Sequence, residues 1–130
     1  MATILVIEDI PSVMLSLRVV LEGGGHTVLC AGNGDDGLAL LRRGGIDLVI
    51  TDIWMPGKLG SAVIAEGRGL APDARFLAIT GGAPNGSITP DHLVGAGADF
   101  GADGVLFKPF QRTELIAAVT ELIPAVALQP

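Results

Sequence analysis

Five short apolar runs separated by segments of helical period constrain the fold of this chain more than any other feature. The runs are residues 4–7, 27–30, 48–50, 76–79 and 105–107. Each is brief and nearly continuous, without strict polar alternation, which marks strands covered on both faces, as in parallel sheets. Between the first two, Val13, Met14, Leu17, Val20 and Leu21 step by three or four through a helix predicted over 11–22. Pro11 suits its first turn, and Gly23, Gly24 and Gly25 stop it. Residues 37–43 carry a shorter helix with Leu38 and Leu41, and residues 61–70 a helix weakened by Gly67 and Gly69. The last helix, 111–123, is the clearest, with Leu115, Ile116, Val119, Leu122 and Ile123 on one stripe before Pro124. A helix is also expected topologically at 89–100, although Gly95 and Gly97 each cost it about 1 kcal/mol relative to Ala.

Strands alternating with helices imply right-handed crossovers and the α/β class. The expected architecture is a doubly wound, five-stranded parallel sheet of order 2-1-3-4-5 with helices on both faces, whose ligands sit outside the carboxyl ends of the strands. One domain over residues 1–124 is expected, followed by a short C-terminal tail at 125–130 and no output domain. The composition fits a packed core, with 49% hydrophobic and 17% charged residues. Aromatics are only 4%, so that core must come from Val, Ile, Leu and Ala.

A net charge of −6 with scattered Lys and Arg argues against direct nucleic-acid or anionic-lipid binding, which needs a basic patch. No apolar run approaches the ~18 residues of a membrane span, and no signal peptide is visible at the N-terminus. The lone Cys30, in an apolar run, reads as a small buried residue in a reducing compartment, so a cytoplasmic location is expected. His26 and His92 have no Cys or His at metal-ligand spacing, and Gly81-Gly82 lacks the Lys-Ser or Lys-Thr of a phosphate cradle. Asp35, Asp36, Asp99 and Asp103 read as solvated or capping charges.

The remaining polar residues fall at strand ends. Glu8 and Asp9 follow the first run, Asp52 the third, Thr80 the fourth and Lys108 the fifth. With strand two on the outside, three carboxylates, a hydroxyl and an ammonium converge on one edge. Crowded carboxylates repel unless one is protonated or a cation neutralises them. A hard divalent ion such as Mg2+ is the natural occupant. A carboxylate freed from chelation can then act as nucleophile toward phosphorus, with Lys108 and the cation offsetting phosphoryl charge.

This arrangement resembles the receiver, or response regulator, family of two-component signalling over essentially the whole chain. The matching motifs are Val6-Ile7-Glu8-Asp9, Asp52-Ile53-Trp54-Met55-Pro56-Gly57, Ile79-Thr80-Gly81, and Gly101-Ala102-Asp103-Gly104 leading into Lys108-Pro109-Phe110. The resemblance implies Asp52 as phosphoacceptor and Mg2+ (or Mn2+) bound by Asp9, by Asp52, by Glu8 mostly through water, and by the backbone carbonyl of Trp54. It implies that Lys108 pairs with Asp52 ahead of a cis peptide to Pro109. Thr80 would turn onto a phosphoryl oxygen, and Gly81 would leave room for that group. A sensor histidine kinase or histidine phosphotransfer protein would be the donor, docking around Ile10, Pro11, Met14, Pro109 and Phe110. Output would run through an unidentified target protein or a homodimer.

Two departures stand out. The family usually has Tyr or Phe three residues before the Lys as a switch coupled to the Thr, and here that position is Val105. The stretch from Thr80 to Lys108 is also several residues longer than usual, which points to residues 81–100 as the moving part. Two other readings follow. One is a non-switching interaction module with the receiver fold. The other is an aspartyl-phosphate phosphatase, which Trp54 opposes by standing where the acid/base Asp would be, two residues after the nucleophile. On the receiver reading the chain is not an enzyme, catalysing only its own phosphorylation and dephosphorylation.

Overall fold

The computed structural model describes residues 2–81 and 101–123. Their order is β1 (Thr3–Ile7), α1 (Pro11–Gly23), β2 (Thr27–Ala31), α2 (Gly34–Arg42), β3 (Leu48–Asp52), α3 (Gly60–Leu70), β4 (Arg75–Thr80), β5 (Gly104–Phe107) and α4 (Arg112–Leu122). The strands form one sheet in the order β2-β1-β3-β4-β5, and every neighbouring pair is parallel. That is the expected architecture. The helix expected at 89–100, most of the moving segment expected at 81–100, and the tail at 125–130 lie outside the described residues.

Side-chain alternation along the strands divides the core into two layers. Leu5, Ile7, Val49, Phe76 and Ala78 face α2 and α3, meeting Leu38, Leu41, Val63 and Ile64. Ile4, Val6, Leu48, Ile50, Leu77, Ile79 and Leu106 face α1 and α4, meeting Leu17, Leu21, Leu115 and Val119. Burial on both sides explains why the inner strands β1, β3 and β4 read as continuous apolar runs; the edge strands β2 and β5 are only partly buried.

Several local expectations change. α2 begins at Gly34 rather than 37, because the Asn33 side chain accepts a hydrogen bond from Asp36 N at 2.8 Å. Asp35 and Asp36 then sit in its first turn, where acidic groups complement the helix dipole. Gly67, which reads as a weakness in α3, is a packing site: a Cβ there would stand 2.8 Å from the Phe76 ring. The stripe on α4 is narrower than the sequence implies, since Ile116 is 44% exposed while Leu115 and Val119 are buried. Cys30 is half-buried on the outer strand β2 rather than fully buried. Asp103 is exposed, as expected of a solvated charge, but it is also partnered: it accepts from Phe76 N at 2.8 Å and pairs with Arg68 at 3.2 Å, tying β4 to the turn before β5. Among the described residues no helix is long and apolar enough to cross a membrane.

Candidate functional site

The strands deliver the polar residues to one edge because the hydrogen-bond ladder continues past their apolar stretches. Glu8 N donates to Ala31 O at 3.0 Å, Ile53 N to Ile79 O at 3.0 Å, and Lys108 N to Thr80 O at 2.9 Å. Strand alternation then sets direction. Glu8, Asp52 and Lys108 fall on the α1–α4 side, in step with Val6, Ile50 and Leu106. Thr80 falls on the other side, in step with Phe76 and Ala78.

Ligand oxygens of Glu8, Asp9 and Asp52 lie within 4.8 Å of one another. Lys108 Nζ stands 3.4 Å from Asp52 Oδ2 and 3.7 Å from Glu8 Oε2. The peptide between Lys108 and Pro109 is cis. Glu8 is only 1% exposed and Asp52 6%, whereas Asp9 is half-buried at the rim. Glu8 Oε1 accepts from Ile10 N at 3.2 Å. Burial pushes the Glu8 carboxyl above its ordinary range, and the nearby Asp52 charge adds to this; the Ile10 N–H and Lys108 pull the other way.

One cation cannot satisfy three carboxylates. Glu8 Oε2 and Asp9 Oδ1 are buried without a hydrogen-bond partner, and such orphaned oxygens are costly unless something pairs with them. An all-oxygen donor set whose anionic atoms lack hydrogen bonds fits a hard divalent ion. The acidic triad is thus consistent with a Mg2+ site, and the Lys108 ammonium stands beside the Asp52 carboxylate.

Gly81 is exposed, and a Cβ there would make ordinary contact with the Lys108 side chain, 3.5 Å from its Cβ. Val105 is half-buried and packs against the α2–α3 core layer. Of the expected docking residues, Ile10, Pro11 and Pro109 are exposed, while Met14 and Phe110 are half-buried against the α1–α4 core layer. The side chain of Trp54 is the feature that sequence reasoning missed. Its Nε1 donates to Thr80 Oγ1 at 3.1 Å. The signal that could have found it is chemical: an indole N–H in a site loop needs an acceptor, and a strand-end Thr supplies one.

A parallel sheet in this order with a carboxylate-lined pocket at its carboxyl edge defines a flavodoxin-like α/β class. Residues 4–120 match the response regulator receiver domain model, and the chain belongs to that family. It is 34% identical over 116 residues to the transcriptional regulatory protein DltR of Streptococcus agalactiae, covering 89% of this chain and 49% of that protein. The chain thus spans about half the length of that relative. The response regulator TrrA of Thermotoga maritima, solved in complex with Mg2+ and BeF, superposes with a TM-score of 0.80 at 32% identity. That match covers 95% of this chain and 100% of TrrA. TrrA in complex with the histidine kinase ThkA matches at 31% identity and a TM-score of 0.79, over 95% of this chain and 100% of TrrA.

Proposed function

We propose that this receiver domain accepts a phosphoryl group from phosphohistidine onto Asp52 and signals through protein–protein contact. Glu8, Asp9, Asp52 and the Trp54 backbone carbonyl would hold Mg2+ or Mn2+. The observation that carries the reading is the carboxylate triad within 4.8 Å with Lys108 Nζ 3.4 Å from Asp52 Oδ2. An Asp52 carboxylate oxygen attacks phosphorus; the P–N bond breaks and its electron pair stays on the imidazole nitrogen. A bound divalent ion supplies positive charge to the carboxylates and to the oxygens of the transferring group. Lys108 shifts from its contact with Asp52 to the new phosphoryl oxygens, and Thr80 donates its hydroxyl to one of them. The domain extends over residues 1–124 in this reading, and its turnover is confined to its own phosphorylation and dephosphorylation.

The donor is a sensor histidine kinase or a histidine phosphotransfer protein, a reading supported by the kinase complex of the similar TrrA. The exposed Ile10, whose N–H meets Glu8, and Leu15, which shares a cleft with Glu8 and Asp9, form an apolar rim beside the acidic pocket and suit such a partner. Transfer from a panel of phosphorylated histidine kinases in the presence of Mg2+ tests the reading. At least one kinase should lose its phosphoryl group to this chain, and chelation should stop the transfer. The Leu15→Gln variant should slow transfer from that kinase about tenfold, the scale of a modest interface anchor. Its labelling by a small phosphodonor should hold at the wild-type rate. Equal slowing of both reactions would contradict docking at this rim.

A further inference from the structure

The reading of Asp52 as phosphoacceptor leaves open how phosphorylation reaches the surface, since Val105 is too small and too restricted in rotamers to act as an aromatic switch. On that reading, we propose that Trp54 is the switch partner of Thr80: its indole N–H holds the Thr80 hydroxyl on the α2–α3 side of the sheet and lets go when that hydroxyl turns to the phosphoryl group.

Three observations carry this. First, Trp54 Nε1 to Thr80 Oγ1 is a 3.1 Å hydrogen bond made at a fully buried hydroxyl. Second, Thr80 and the phosphoacceptor Asp52 start on opposite sides of the sheet. Asp52 is in step with Ile50 toward α1 and α4, and Thr80 is in step with Ala78 toward α2 and α3. The hydroxyl must therefore turn across the strand end to reach a group on Asp52. Third, Trp54 and Val105 pack against the same core layer, the one that Thr80 faces.

The chemistry makes the two arrangements exclusive. Thr is β-branched, and rotation about χ1 exchanges its hydroxyl with another staggered position. After that rotation the indole N–H no longer meets Oγ1. Trp has one donor and no acceptor, so its N–H must then find water or another carbonyl. Trp54 is half-buried and can reach solvent by moving outward. Trp54 is thus a positioning residue, acting on the phosphoryl group through Thr80, and its release changes the surface of the β3–α3 loop. The two states differ by a ligand-dependent contact, as a switch requires.

Trp54 is the only Trp in the chain, so 15N-labelled protein has one indole N–H resonance. Adding Mg2+ and beryllofluoride should move that resonance and raise its exchange with water about tenfold, the factor set by one lost hydrogen bond. The Thr80→Val variant should displace the resonance before any beryllofluoride is added. Trp54→Phe keeps a ring but removes the donor, and it should bind beryllofluoride severalfold more tightly because no bond has to break. Bound beryllofluoride is followed separately by 19F resonance. If the analogue is bound and the indole keeps its shift and exchange rate, the switch is refuted while Asp52 keeps its role. The switch is equally refuted if Thr80→Val leaves the indole unmoved, or if Trp54→Phe binds more weakly. No bound beryllofluoride in the wild type overturns both readings.

Discussion

Gly60→Ala should destabilise the domain by about 2–4 kcal/mol, the range for a clash that backbone cannot relieve. Gly60 opens α3, and its N–H donates to Ile53 O at 2.9 Å. A Cβ at this position would run into the carbonyl oxygen of Asp52 and stand 2.8 Å from Ile53 Cα. The start of α3 therefore lies directly against the backbone that carries Asp52, and only a hydrogen fits between them. Neither side can yield cheaply, because β3 is buried along its whole length. Gly69 provides the control. It sits in the same helix, and a Cβ added there would meet no atom within 4 Å, so Gly69→Ala should stabilise by up to about 1 kcal/mol through helix propensity. Urea unfolding of both variants checks the pair. Two substitutions of the same kind in one helix should move stability in opposite directions. Equal effects would mean that the approach of α3 to Asp52 does not constrain the site.

Asp9→Asn should change stability with a sign that depends on metal. In the metal-free protein, Asp9 Oδ1 is buried without a hydrogen-bond partner, among carboxylates only one Lys can neutralise. Removing its charge relieves repulsion and should stabilise by about 1 kcal/mol, the scale of an unsatisfied buried polar group. With Mg2+ at about a hundred times its half-saturating concentration, the wild type should gain about 2.7 kcal/mol from linkage to binding. The variant, lacking one of the proposed ligands, should gain little of this. The two unfolding curves should therefore exchange order as Mg2+ is added. A wild type whose melting temperature ignores Mg2+ and Mn2+ would remove the case for a metal in this pocket.

The fold is legible in the sequence because two-sided burial leaves strands almost purely apolar, and crossover helices leave their own period between them. The boundaries are less so. An apolar run ending at Ile50 omits Thr51 and Asp52, which continue the β3 ladder opposite Ala78 and Ile79. Apolar pattern does not register polar residues that finish a strand by backbone hydrogen bonds. The start of α2 escapes for a related reason, since its cap is made by the Asn33 side chain rather than by any apolar step. Ile116 joins the predicted stripe by spacing, yet it lies at the margin of the face that meets the sheet and stays exposed.

The carboxylate cluster is legible because its members stand at strand ends, where chain topology alone brings them together. The role of the Trp54 side chain is not, since a loop residue carries no period from which to infer its direction. Asp103 is hidden for want of the same information: its partners Arg68, Arg75 and Phe76 N come from α3 and β4, far away in sequence.

Phosphoryl labelling mapped to the residue tests the central claim most directly. The chain is incubated with a small phosphodonor and Mg2+, its mass is measured intact, and the modified side chain is identified after reductive trapping of the acyl phosphate. One phosphoryl group, acid-stable and base-labile, should be found on Asp52; it should be absent without divalent metal and absent from Asp52→Asn. An Asp52→Asn protein labelled as fully as the wild type, or a trapped product at any other carboxylate, would contradict the account.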